Sequence, residues 1–110
     1  MKRTITPFIC LNDFEYMDNF SKGWHHSSPE LLHVEGVRIG YPITDWGQGG
    51  AKTFAVDPKY YTVGELMRTV NALVIDEINK GNNYAPHDAE DYCIECIEVM
   101  DNIANISFGS

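Results

Sequence analysis

The chain has no apolar run long enough to cross a bilayer. Its best, ALVI at 72–75, falls far short of the roughly 20 residues a spanning helix needs. No secretory leader is expected, because Asp13 and Glu15 follow Lys2 and Arg3 after too brief an apolar stretch. Cysteine is scarce. Cys10, Cys93 and Cys96 make an odd count, which argues against a disulfide framework and for a reducing compartment, hence a cytosolic protein. Basic residues are scarce too: 8 Lys and Arg face 16 Asp and Glu, for a formal net charge of −8. The shortage is uneven. Residues 1–53 hold six acids and five bases, residues 54–110 ten acids and three bases, with no Lys or Arg after Lys80. An acidic half repels nucleic-acid backbones and attracts basic proteins. Repeats, low-complexity tracts and linkers are absent, so residues 1–110 read as a single domain.

Apolar material is sufficient for a core, at 44% hydrophobic with 22% charged residues, which excludes general disorder. Strand signals fill the first half. TITPFICL alternates Ile5, Pro7 and Ile9 against Thr6, Phe8 and Cys10, with Pro7 pushing the strand to a sheet edge. The segment 12–22 reads as either helix or strand, and SSPE at 27–30 as a turn or helix start. LLHVEGVRIGYPI sets Val37, Ile39 and Tyr41 on one side of a strand, which Gly36 and Gly40 weaken or bulge. KTFAV is its short partner, ended by Asp57-Pro58.

Helix signals follow. Thr62 and Glu65 form a capping box; Leu66, Val70, Leu73, Val74 and Ile78 follow at helical spacing, and Gly81 caps the far end. A second helix is expected from Asp88. Tyr92, Cys93, Cys96, Ile97, Met100, Ile103 and Ala104 fall on one arc, and Asp88, Asp91, Glu95 and Glu98 on the other. ISFGS closes the chain as a frayed end or a short strand. The expected fold is therefore α+β: a small antiparallel sheet from the N-terminal half packed against two C-terminal helices.

DWGQGGAKTF at 45–54 is the most suggestive stretch for chemistry, yet it fails as a Walker loop. Ala51 precedes Lys52 where glycine is required, Trp46 stands where the first glycine belongs, and a strand follows instead of a helix. It reads as a glycine-rich hairpin connection that displays Trp46. The alternative is an anion nest at Gly47, Gly49, Gly50 and Lys52 for a small phosphorylated ligand. CIEC at 93–96 lies inside the expected helix, so its thiols read as buried and structural, and no set of zinc ligands is apparent. His25, His26 and His87 would be the bases of a small hydrolase, but PHDAED at 86–91 reads as a capped helix start. No cofactor or metal is called for, and an enzyme is not expected.

The acids Asp88, Asp91, Glu95, Glu98 and Asp101, with no Lys or Arg among them, form like-charge neighbours on the expected helix. Each such pair opposes the helix by a few tenths of a kcal/mol, and a basic partner would relieve it. With the aromatics Trp24, Trp46, Tyr84 and Tyr92, the chain resembles, in size, acidity and overall character, bacterial immunity proteins of contact-dependent inhibition systems. The resemblance implies a cytoplasmic inhibitor that neutralises a basic toxin, a nuclease, by protein–protein contact. Its contact residues are expected to be those five acids and Trp46, with no direct nucleic-acid or membrane contact. A phage-encoded inhibitor of a host defence protein is the physically equivalent alternative.

Overall fold

A computed structural model describes residues 2–7, 9–11, 29–41, 43, 51–82 and 92–109. The elements run β1 (Lys2–Ile5), β2 (Ile9–Cys10), β3 (Leu31–Ile39), β4 (Lys52–Thr62), α1 (Val63–Asn79), β5 (Cys93–Met100) and β6 (Ile103–Gly109). The strands form one sheet in the order β1-β5-β6-β3-β4, with β2 also paired to β5. Every ladder is antiparallel except β3 with β6. The chain leaves the β4 edge, passes through α1, and returns to the sheet as β5 beside the opposite edge.

The expected pair of C-terminal helices is thus corrected to one among the described residues, and the sheet is mixed and drawn from both halves of the chain. Residues 93–109 are a β-hairpin, not a helix. The reason is local. Ile94 lies opposite Phe108 but Cys96 opposite Ser107, so Glu95 is an extra residue in β5. That bulge shifts the two-residue alternation, so that Ile94 and Ile97, three apart, share the core side and no strand pattern shows, while Cys93, Cys96, Ile97 and Met100 keep a helical spacing. Ile94, Ile97 and Val99 all face the core. The hairpin turns on Asp101 (φ 52°) and Asn102 (φ 65°), a two-residue loop with both positions left-handed, as strand twist favours. Asn102→Gly is therefore expected to be neutral or stabilising by up to about 1 kcal/mol, and Asn102→Val destabilising by over about 1 kcal/mol. Urea titration reads both; a helix at this position would reverse the glycine result, because glycine costs about 1 kcal/mol there.

The edge reading of TITPFICL holds. β1 and β2 pair in turn along β5, and Pro7 lies in the break between these two edge strands, where no ladder bond is required of it. β4 extends past Asp57-Pro58 to Thr62, further than the sequence suggests. Val34 faces Lys59 while Gly36 faces Ala55, so residues 56–58 bulge opposite Glu35, and an edge strand absorbs the proline in that irregularity. Segment 12–22, with its choice of helix or strand, lies outside the described residues.

Helix α1 follows its local signals. The Glu65 amide donates to the Thr62 hydroxyl at 3.1 Å. Gly81 (φ 88°) donates to the Ile78 carbonyl at 3.0 Å, and Asn82 to the Glu77 carbonyl at 3.0 Å, the paired bonds of a glycine-terminated helix. The buried stripe Val63, Leu66, Met67, Val70 and Val74 covers one face of the sheet against Leu32, Val34, Val37, Ile39, Ile97 and Ile106. Burying each such side chain contributes about 1.5–3 kcal/mol, so this interface is the main support of the fold.

Candidate functional site

With α1 on one face, strand alternation assigns neighbouring residues to opposite sides. Leu32, Tyr61 and Val99 are buried, which turns Leu31, Tyr60 and Met100 to the other face. These three are the exposed large hydrophobics among the described residues, at 57%, 65% and 43% exposure, and all stand on the side away from the helix. His33 lies opposite Tyr60 in the ladder, and the two rings meet edge to face at 4.9 Å and 70°. Met100 lies opposite Ile103, which is in turn opposite Gly36. A Cβ at Gly36 would come within 3.0 Å of the Ile103 Cδ1 atom, so the missing side chain lets Ile103 lie across β3 between Met100 and the Tyr60 end.

Two carboxylates stand beside this face, which also carries the exposed Arg38 between the buried Val37 and Ile39. Glu35 sits at the β3 bulge, where its amide donates to the Asn102 carbonyl at 2.8 Å. That bond sets it beside Asp101 in the hairpin turn. Among the described residues neither of these two carboxylates has an ion-pair partner. Other acids are matched. Glu30 meets Arg3 at 2.8 Å, and that hydrogen bond holds the guanidinium above its ordinary pKa. Lys80 meets Asp76 at 2.8 Å and the buried Glu77 at 3.5 Å. The bond to Asp76, then the charges of both acids, raises its pKa.

The residues singled out from the sequence are dispersed. Glu95 and Glu98 lie on β5, one at the bulge beside Gly109 and the other 3.8 Å from Lys2; Asp101 lies in the turn. An exposed pair such as Lys2–Glu98 contributes about 0–1 kcal/mol. The shared helical face expected for these acids does not exist. Asp88, Asp91, Trp46, Gly47, Gly49, Gly50, His25, His26 and His87 lie outside the described residues. Lys52 is described: it opens β4 opposite Ile39, and its ammonium sits 5.0 Å over the Phe54 ring. Strand, not helix, follows it, consistent with the failed Walker pattern.

Cys93 is corrected as well. It is disulfide-bonded, not a buried thiol, and its partner in the β2–β5 ladder is Cys10; Cys96 is free and half-buried. Among the described residues no group of three or more His, Cys, Asp or Glu is placed to hold a metal, and no helix is long and apolar enough to cross a membrane.

No family model, curated protein or solved structure matches the chain. The open hollow between β4 and α1, about 460 Å³, is lined by Ala55, Val56, Asp57, Lys59, Tyr61 and Thr69. Apart from the Asp57 carboxylate, its polar groups are already committed. The Tyr61 hydroxyl donates to the Asp57 carbonyl at 2.7 Å, and the Lys59 ammonium lies 4.8 Å over the Tyr61 ring and 3.8 Å from Glu65. Burial, then the charges of Asp57 and Glu65, pushes the Tyr61 phenol up. That leaves the open sheet face as the candidate site. Its residues Leu31, Tyr60 and Met100 were not evident as site residues in the sequence, yet a signal exists. LL at 31–32, YY at 60–61 and VM at 99–100 are apolar doublets, and a doublet within a strand must present one member to each face.

Proposed function

We propose that this protein is a small acidic inhibitor of the immunity type, which binds and neutralises a basic protein toxin, a nuclease, by protein–protein contact in the cytoplasm. One observation carries the reading: the exposed large apolar residues of an acidic chain gather on one sheet face, beside carboxylates that lack cations of their own among the described residues. A nuclease presents a basic surface to the phosphate backbone, and a complementary acidic surface is steered onto it. Nucleic acid, the substrate of such a toxin, places the encounter in the cytoplasm. A phage-encoded inhibitor would use the same contact against another basic target.

The test is association with the product of the adjoining gene. Both proteins are purified, and the association rate is followed from about 50 to 500 mM NaCl, over which the screening length falls several-fold. The expected result is nanomolar binding with an association rate that drops by roughly tenfold or more. Binding insensitive to salt, or an acidic adjoining product that does not bind, removes the reading.

A further inference from the structure

We infer that the sheet face opposite α1, centred on Tyr60, is the surface that receives the basic partner, and that the partner's lysines and arginines meet Glu35 and Asp101 beside it. The inference rests on the inhibitor reading and specifies its contact surface. Tyr60 is 65% exposed and fixed from one side by the His33 ring. An amphipathic ring held in one orientation loses little freedom on binding, and tyrosine is enriched among residues that dominate interfaces. Leu31 and Met100 extend the apolar area along the same face. Glu35 and Asp101 have no ion-pair partner among the described residues, so a partner's cation does not have to displace one.

Charge selects the occupant. A second copy in a two-fold contact would bring the same face against itself, pressing together two chains that each carry a net charge of −8. A cationic protein reverses that repulsion. Strand addition at the sheet edge is disfavoured: β4 carries Lys52, Pro58 and Lys59 and an irregular register, features that obstruct edge pairing. The face is therefore the route, and the partner docks side chain to side chain.

The test places a photoreactive benzoylphenylalanine at Tyr60, at Leu31, or at Ala72 on the exposed side of α1, in the full chain expressed in its native cells. Any cross-linked protein is identified by mass spectrometry, purified, and titrated against wild type, Tyr60→Ser and Ala72→Ser. The expected result is a protein of net positive charge, cross-linked from Tyr60 and Leu31 but not from Ala72. Its affinity should fall at least tenfold with Tyr60→Ser and stay unchanged with Ala72→Ser. Unaltered thermal unfolding of Tyr60→Ser checks that the fold is kept. A basic protein cross-linked only from Ala72, or one indifferent to Tyr60→Ser, overturns this surface and leaves the inhibitor reading standing. Cross-linking to a second copy of the chain overturns the choice of occupant. Absence of any cross-link at all three positions overturns both.

Discussion

Ile97→Ala is expected to destabilise the protein by about 2–5 kcal/mol, whereas Cys96→Ser, one residue earlier, is expected to cost less than about 1 kcal/mol. Ile97 is fully buried beneath α1, opposite Ile5 on one side and Ile106 on the other. Removing its branched side chain leaves a cavity bounded by regular strands that have little room to collapse. Cys96 is half-buried and lies on the other side of β5. The contrast bears directly on the corrected part of the fold. On a helix, residues 96 and 97 would share the apolar arc and both changes would be costly. Urea unfolding at constant slope measures the difference, and comparable losses at the two positions would contradict the strand.

The same stretch shows what was and was not legible in the residues. Helix α1 was legible because its signals are local: Thr62 and Glu65 lie within one turn, and Gly81 takes the left-handed conformation that only glycine adopts without cost. The edge position of β1 and β2 followed from one proline. The β5–β6 hairpin was obscured by the single extra residue at Glu95, which broke the strand alternation between Ile94 and Ile97 and left the helical spacing of Cys93, Cys96, Ile97 and Met100 as the visible pattern. Weightier signals were present: the β-branched run Ile94, Ile97, Val99, Ile103 and Ile106, and the Asp101-Asn102 pair between apolar segments. Acidity was legible, but its arrangement was not. Strand pairing sets Glu35 beside the hairpin turn by one backbone bond, a contact between residues distant in the chain that no local pattern encodes. Tyr60, similarly, is identifiable as exposed only once Tyr61 is known to be the member of the doublet that enters the core.

Reduction is expected to lower the stability of the oxidised wild type by about 2–5 kcal/mol, and Cys93→Ser to do the same without reductant. The disulfide-bonded Cys93 lies in the part of the sheet where β5 meets the two-residue strand β2. So short a strand has few ladder bonds of its own, and Leu11, which follows it, is fully in the core and bonded to the Tyr92 carbonyl at 2.8 Å. Loss of the covalent link therefore weakens both the edge and the core beneath it. The measurement is thermal and urea unfolding of wild type and Cys93→Ser, each with and without dithiothreitol. Reductant should bring wild type to the level of the variant and leave the variant unmoved. Thiol titration in denaturant should find one reactive thiol per oxidised chain and three after reduction. Wild-type stability indifferent to dithiothreitol would refute the link. The outcome also bears on the cytoplasmic assignment, because thiol pools there hold such bonds open. An inhibitor acting in that compartment must keep its Tyr60 face formed in the reduced state, so reduced wild type should bind the basic partner within about threefold of the oxidised form, a difference of under about 1 kcal/mol. This follows because the face is carried by β3, β4 and the β5–β6 hairpin, and none of these pairings needs β2.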